Sequence, residues 1–289
     1  MEFITVARVA TKLKCIYSYL HPEKTAIDYI LVVEKYCYRS KYFKMPFGSL
    51  SVSNTAIPQY APPYPVDGSD YISESVLTVT YQTSVQCVRH LVPSMLELED
   101  EPQVSVMVLQ HTMTSFGPYN EYVHSVKVKY NGNTFDYFLS LILDNDSPIS
   151  CGREQFGFPK KLGNVALVLK NGSTVVHGYV ERPAGQKVVE VDFQPEKRVK
   201  GAIETTIQGL NLRVIPSVVP GHSPSVKELV PVDISMEASE VWEGDGSICF
   251  PEPSRFDPMH EVKVIRYGKA TLLRNASLAI RLPTKVFQL

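Results

Sequence analysis

The sequence predicts an α+β protein whose mostly antiparallel β-sheet curls into a barrel or cone, with short helices inserted between the strands. Runs of alternating apolar and polar residues, rich in β-branched side chains, recur along the chain and are typical of half-buried strands. Asn131-Gly132 and Asn171-Gly172 separate pairs of such runs, which indicates tight hairpin turns. The 21 prolines and 16 tyrosines favour turns and strands over a helical bundle. Curling would hide the edges of the sheet.

Length and composition are those of a globular protein with a hydrophobic core. The 289 residues suit one large domain or two small ones, and 44% of them are hydrophobic and 20% charged. Three regions are predicted: a helical N-terminal extension over residues 1–44, a proline-rich lead-in segment over residues 45–70, and the main domain over residues 71–289. In the first region, the apolar spacing is compatible with two short helices interrupted near His21-Pro22.

The first half of the main domain is predicted to contain four strands and one short helix. Ser84 is placed to cap a helix that reaches Leu91 and is stopped by Pro93. The predicted strands span residues 74–82, 103–111, 121–130 and 134–143, and the last two are joined at Asn131-Gly132.

A second helix is predicted next, with Asp146 or Ser147 as its cap, Pro148 in its first turn and its end near Gly157. A three-stranded meander then covers residues 164–170, 174–181 and 187–193, with turns at Asn171-Gly172 and Ala184-Gly185. Further strand-like runs lie at residues 210–215, 229–234 and 261–267.

An adjacent lysine pair, Lys160 and Lys161, follows an apolar run formed by Phe156, Phe158 and Pro159. A lysine becomes a nucleophile only when it loses its proton, and burial among apolar side chains favours that loss. Lowering a lysine pKa from ~10.4 costs roughly 1.4 kcal/mol per unit, and buried lysines with pKa values of about 5–6 are known. The segment therefore indicates covalent amine chemistry, with two solvated lysines in a turn as the alternative.

The same segment carries a family resemblance. Gly152-Arg-Glu154 and Gly157-Phe-Pro-Lys-Lys-Leu-Gly163 resemble the signature of the acetoacetate decarboxylase family. That family is itself a standard example of an activated lysine. The resemblance implies the family's fold, a keto acid substrate, no cofactor, and a Schiff base on the first lysine of the motif. Weaker matches in the family's order extend it from about residue 71 to the C-terminus, at residues 119–121, 143–146, 212–216 and 240–244.

The resemblance assigns roles to Lys160 and Glu121, and the residues themselves suggest roles for Lys161 and Arg153. Lys160 is the nucleophile, and Glu121 matches an acidic pocket residue that could move protons, with an exposed strand-end carboxylate as the alternative. Lys161 would point to the opposite face of an extended backbone and support the segment by pairing with an acid such as Glu154. Arg153 could hold a substrate carboxylate or form an internal ion pair that supports the loop.

Two departures from the family pattern bear on the substrate. Glu74 stands where the family has an arginine at the start of the first strand, and Met107 stands where it has a pocket glutamate on the second. Together with Phe116, Met107 favours a ligand larger and more apolar than acetoacetate. The predicted pocket lining is Met107, Phe116, Phe156, Phe158 and His111.

Three functions are consistent with these residues. The first is a carbon–carbon lyase that decarboxylates a β-keto acid, such as a polyketide-like compound, through a Schiff base on Lys160. The second is a Schiff-base aldolase, dehydratase or cyclase of secondary metabolism. The third is a ligand-binding homologue without catalysis.

Composition and spacing argue against several other classes. A formal net charge of −1 predicts no general attraction to nucleic acid or anionic membranes. Five scattered cysteines without C-x-x-C spacing argue against a disulfide scaffold or zinc site, and the seven histidines show no metal-ligand spacing. No secretory signal or apolar run of about 18 residues is evident. We therefore expect a soluble cytoplasmic protein without metal or cofactor, and its exposed strand edges suggest a homo-oligomer.

Overall fold

A computed structural model of the chain describes residues 47–65 and 68–289. Residues Ser53–Leu289 form one compact unit. The helices predicted for residues 1–44 lie outside the described residues. Within the described ranges, no helix is long and apolar enough to span a membrane.

The described residues form twelve strands of one sheet and a few short helices. The helices are α1 (Val85–Val88) and α2 (Asp146–Cys151), with 3₁₀ turns at Arg89–Leu91 and Pro258–Glu261 and a π-helical turn at Gly152–Phe156. The strands are β1 (Ser69–Gln82), β2 (Gln103–Thr114), β3 (Tyr119–Tyr130), β4 (Asn133–Leu143), β5 (Lys160–Leu162), β6 (Asn164–Leu169), β7 (Val176–Glu181), β8 (Lys187–Val199), β9 (Ile203–Ile215), β10 (Val226–Cys249), β11 (Arg266–Ile280) and β12 (Phe287–Gln288).

Seven of the strands close into a ring in the order β11-β1-β2-β3-β4-β9-β10, and β10 pairs back with β11. The long β10 permits this closure because it pairs with β9 and β8 along one edge and, over residues 234–244, with β11 along the other. The meander β6-β7-β8 extends from β10. Only Asp136–Gly209 and Tyr137–Leu210 join β4 to β9, in parallel, so the sheet is ring-like rather than a regular barrel. The predicted α+β class, with its curled and mostly antiparallel sheet, is confirmed.

Local turn chemistry explains why most predicted elements are found. Asn131 and Gly132 have φ angles of 50° and 76°, the left-handed pair that a type I′ hairpin turn requires. They join β3 to β4 as predicted, and the β6-β7-β8 meander is also confirmed. Ser84 caps α1 by accepting a hydrogen bond from the backbone N–H of Gln86.

Two predicted elements are wrong in detail. The cap of α2 is Asn145, whose side chain accepts a hydrogen bond from the N–H of Ser147, so neither Asp146 nor Ser147 is the cap. Residues 261–265 are not a strand, because a 3₁₀ turn and an irregular loop precede β11, which begins at Arg266. The apolar alternation there reflects burial of Val262 under the sheet, since an irregular segment can bury alternate side chains without pairing as a strand.

A histidine lies in the larger of two hydrophobic cores. His124 is fully buried, with Nε2 3.0 Å from the Tyr81 hydroxyl and Nδ1 3.0 Å from the Tyr122 hydroxyl. Tyr81 donates its own proton to the Val262 carbonyl, so it accepts from Nε2–H while Tyr122 donates to Nδ1. Burial lowers the pKa of His124 to about 3, and the folded protein holds this ring neutral.

We expect His124 to destabilise the protein in acid. The unfolded chain binds a proton at this histidine below about pH 6.5, whereas the folded chain does so only near pH 3. The free energy of unfolding therefore falls between these limits, by about 2–3 kcal/mol from pH 6.5 to 4.5. Urea unfolding at several pH values should show this slope in the parent protein and lose it in His124→Gln. A variant with the full parent slope would contradict the assignment.

Candidate active site

The segment before Lys160 holds that residue in one backbone conformation. Helix α2 continues into the π-helical turn, which ends at Gly157 in the left-handed region with φ 72°, where glycine is favoured. The N–H of Phe158 then donates to the carbonyl of Gly152. Lys160 opens β5, which pairs in parallel with β4 opposite Leu141. The lysine backbone is therefore fixed by the helix on one side and by the sheet on the other.

The Lys160 side chain enters a mostly apolar cavity inside the ring of strands. The free space in this cavity amounts to about 40 Å³. Eleven of its sixteen lining residues are apolar, and Lys160 is the only lysine or arginine in the described lining. The lining consists of Tyr71, Met107, Leu109, His111, Tyr119, Glu121, Val123, Phe138, Leu141, Phe158, Lys160, Ile207, Ile234, Met236, Leu278 and Ile280.

Lys160 and Glu121 form a buried ion pair in this cavity. Lys160 is 5% exposed and Glu121 6%, and the Nζ–Oε1 distance is 3.0 Å. The ammonium group also lies 5.4 Å from the centre of the Phe158 ring. The structure thus brings together the two residues that the sequence nominates for catalysis.

Glu121 has a second neighbour in His111. The His111 Nε2 atom is 3.6 Å from Glu121 Oε2, and its Nδ1 atom is 2.8 Å from the Ser73 hydroxyl. Burial alone would raise the pKa of the Glu121 carboxyl, but Lys160 and His111 together outweigh burial and lower it. The site therefore favours the ionised form of Glu121, with Lys160 Nζ as its nearest basic neighbour.

Lys161 points away from the cavity and anchors the segment, but its partner is not the predicted one. Its ammonium lies 2.8 Å from Asp257 and donates to the carbonyl of Phe256 at 2.6 Å. Arg182 lies 3.0 Å from the other oxygen of Asp257. The partner acid is thus Asp257 rather than Glu154, because the opposite face of β5 meets the loop before the second 3₁₀ turn.

Arg153 and Glu154 also support the segment from outside the cavity. Arg153 donates to the carbonyl of Lys160 at 3.2 Å. The Glu154 carboxylate accepts from the Tyr64 hydroxyl at 2.5 Å, and its backbone carbonyl accepts from Arg213. Neither residue is among those that line the cavity, and both hold the segment in place, as expected of supporting residues. That Arg153 could hold a substrate carboxylate stays a prediction.

Three of the five predicted lining residues, Met107, His111 and Phe158, do line the cavity. The other two lie just behind the wall. Phe156 packs against Phe158 at 5.7 Å between ring centres, and Phe116 lies 6.4 Å from the Tyr71 ring. Phe156 ends the π-helical turn whereas Phe158 follows the left-handed Gly157, so the two rings do not share a face.

Several lining residues are not among the sequence predictions. Alternation along a strand could have found Tyr119 and Val123, because they lie two residues on either side of Glu121 and share its face. Tyr71 lies on β1, just before the predicted strand. No local signal points to Ile207, Ile234, Met236, Leu278 and Ile280, which come from β9, β10 and β11.

Glu74, the first departure from the family pattern, does not face the cavity. Its exposed side chain lies on the outer surface, 3.3 Å from Arg274, while the neighbouring Ser73 is buried and contacts His111. Met107, the second departure, does line the cavity. In the described part of the chain, no three His, Cys, Asp or Glu side chains are grouped to bind a metal.

Comparison with known proteins shows which family the chain resembles in sequence. The acetoacetate decarboxylase family pattern matches residues 53–284, which begins inside the lead-in segment. The chain is 38% identical over 235 residues to Decarboxylase DEC1 of Cochliobolus heterostrophus, covering 79% of this chain and 93% of that protein. It is 29% identical over 253 residues to an acetoacetate decarboxylase of Burkholderia mallei, covering 84% and 94%.

Solved structures agree on the fold. The acetoacetate decarboxylase of Legionella pneumophila superposes with a TM-score of 0.68 at 21% identity, covering 85% of this chain and 93% of the other. The enduracididine biosynthesis enzyme MppR, solved with the condensation product of pyruvate and imidazole 4-carboxaldehyde, gives 0.67 at 16% identity, covering 84% and 99%. The sequence matches cover most of this chain and most of each relative. The chain therefore belongs to the acetoacetate decarboxylase family and is a carbon–carbon lyase.

Proposed function

We propose that this protein decarboxylates a β-keto acid larger and more apolar than acetoacetate, through a Schiff base on Lys160 and without a cofactor. The observation that carries the proposal is the amine of Lys160, buried in an apolar cavity 3.0 Å from a carboxylate. Glu121 is a base within reach of the proton that Lys160 must lose, and a positioned base is what activates a lysine nucleophile.

The first half of the reaction uses the proton shared by the pair. Glu121 takes a proton from the Lys160 ammonium, and the neutral amine adds to the ketone carbon to give a carbinolamine. Glu121 then returns that proton to the carbinolamine hydroxyl, which leaves as water. The product is a protonated imine beside a Glu121 carboxylate.

The second half cleaves the carbon–carbon bond. The protonated imine accepts the electron pair of the breaking bond, so CO₂ leaves and a neutral enamine remains. A proton then adds to the enamine carbon and regenerates a protonated imine. Water hydrolyses it to the ketone and the Lys160 ammonium. One proton is consumed in each turnover, at the enamine step.

Substrate size follows from the cavity and its wall. A buried water needs roughly 10–15 Å³, so about 40 Å³ of free space corresponds to about three waters and encloses little more than the keto group and its neighbours. Ile207 and Ile280, which are only partly buried, mark where a longer apolar tail could leave the cavity. Met107 adds a flexible apolar side chain to the same wall.

Borohydride trapping tests the proposal. Borohydride reduces an imine to a stable amine, so incubation with 3-oxooctanoate should leave a covalent adduct on Lys160 by peptide mass spectrometry. Lys160→Met should show no adduct, whereas Lys161→Met, which alters the neighbouring lysine outside the cavity, should still be labelled. CO₂ and 2-heptanone should form in equal amounts. The kcat/KM for 3-oxooctanoate should exceed the kcat/KM for acetoacetate.

Other outcomes would point to other functions. An adduct without CO₂ release would favour the aldolase, dehydratase or cyclase alternative, since that chemistry also begins with an imine. Retained turnover by Lys160→Met would refute the Schiff base itself. A cytoplasmic location and a homo-oligomeric state remain predictions, which fractionation and light scattering of the purified protein would test.

A further inference from the structure

We propose that His111, held by Ser73, is a positioning residue that relays the proton consumed in each turnover from solvent to Glu121. The inference rests on the proposed function, because only a reaction that consumes a proton at a buried carboxylate needs such a route.

The need for a relay follows from burial and from the proton count. Glu121 has given up its proton when water leaves the carbinolamine, so a new proton must reach it before the enamine can be protonated. Lys160 is 5% exposed and Glu121 6%. The apolar side chains that make up most of the lining around them cannot carry a proton inwards.

His111 is in contact with Glu121 on one side and with Ser73 on the other. Its Nε2 atom lies 3.6 Å from Glu121 Oε2, and its Nδ1 atom lies 2.8 Å from the Ser73 hydroxyl. In the tautomer with its proton on Nε2, the ring accepts from Ser73 and directs its own N–H at Glu121. A contact of 3.6 Å is longer than a hydrogen bond and would shorten as the ring donates.

Ser73 and His111, which are 0% and 4% exposed, lie in the wall between the cavity and two recesses on the outer face of the sheet. Ser73 lines one surface recess and His111 lines a second, and Glu74 and Thr112 line both. The relay would move the Nε2 proton of His111 onto Glu121 while Nδ1 takes up a proton through the Ser73 hydroxyl from water in these recesses. The net transfer is one proton from solvent to the Glu121 carboxylate.

The other groups around the His111 ring do not compete for this role. Tyr71 and Tyr119 pack against it at 5.2 and 4.6 Å between ring centres, and burial raises the pKa of both hydroxyls, so neither tyrosine supplies a proton near neutral pH. Lys160 faces Glu121 from the cavity. Glu74 and Asp144 lie on the outer side, where both line the second recess.

Single-turnover kinetics of His111→Gln test the relay. CO₂ leaves before the proton is needed, so CO₂ release from 3-oxooctanoate should slow much less than ketone formation. Formation of 2-heptanone should slow by about 10²-fold, the low end of what a proton-transfer group contributes. The slowed step should show a larger solvent deuterium isotope effect, and borohydride trapping on Lys160 should be unchanged.

Ser73→Ala provides a second variant that removes one hydroxyl and leaves the ring in place. In this variant too, ketone formation should slow more than CO₂ release, but by a smaller factor than in His111→Gln. Equal slowing of the two products in both variants, or no slowing in either, would overturn the relay. Failure of the proposed function looks different, because the parent protein itself would then form no adduct at Lys160.

Discussion

Glu121→Gln should lower kcat by about 10²–10⁴-fold while leaving the protein folded. Glutamine has nearly the same shape but cannot take the proton that Lys160 must lose, nor return it to the carbinolamine hydroxyl. It also removes the negative charge 3.0 Å from the ammonium, and an unpaired buried cation is costly. Steady-state CO₂ release by the purified variant gives the rate, and chemical denaturation gives its stability.

A carboxylate elsewhere in the same sheet provides the control for this variant. Glu228 is 8% exposed and lies 2.8 Å from Arg213, but it does not line the cavity. Glu228→Gln should cost stability and leave kcat within a few-fold of the parent. Similar kcat losses in both variants would mean that Glu121 acts through stability rather than through proton transfer.

The acid limb of the pH profile carries a second signature of the same pair. Because Lys160 and His111 lower the pKa of Glu121 from its ordinary value of 4.5, the carboxylate persists below that pH in the folded protein. Stability from the pair is fully present above pH 4.5 and is lost as the pH falls through the lowered pKa. We expect the fall in kcat/KM caused by protonation of Glu121 to lie below pH 4.5.

The Lys160–Glu121 pair was predictable because its signals are local. Lys160 is carried by a contiguous motif, and Glu121 follows a loop at a strand start where the family has an acid. Met107 and His111 share a face because they are four residues apart on one strand. The sequence gives little indication of the π-helical turn and the left-handed Gly157 between Gly152 and Phe158. The prediction that Phe156 lines the cavity together with Phe158 therefore differs from the structure, in which only Phe158 does.

Contacts made across the ring could not be predicted from one sequence. Asp257, the partner of Lys161, is 96 residues away, and no periodic pattern links the two. Ile234 and Leu278 reach the cavity only because β10 pairs back with β11, which is a global property of the sheet. The apolar character of the substrate site was therefore expected from Met107, but most of the wall that produces it was not.

Gly152→Ala should reduce kcat/KM by about 10²-fold with little loss of stability. Gly152 has ordinary helical angles, φ −62° and ψ −40°, so alanine fits the backbone. Its new Cβ would lie 2.6 Å from Lys160 Cδ and 2.8 Å from Cε, too close for either atom to remain. The flexible lysine would swing aside, and a displacement of about 1 Å at a reacting group can cost about 10²-fold in rate.

Two glycine controls separate displacement of the amine from damage to the fold. Gly48→Ala adds the same methyl group where nothing lies within 4 Å and should leave rate and stability unchanged. Gly157→Ala places a side chain at φ 72° and 3.0 Å from the Arg213 backbone, so it should mainly cost stability. If Gly152→Ala were trapped by borohydride and turned over like the parent, catalysis would not depend on where the helix holds Lys160. The proposed chemistry requires the opposite, because the amine must reach the carbonyl carbon and Glu121 from one position.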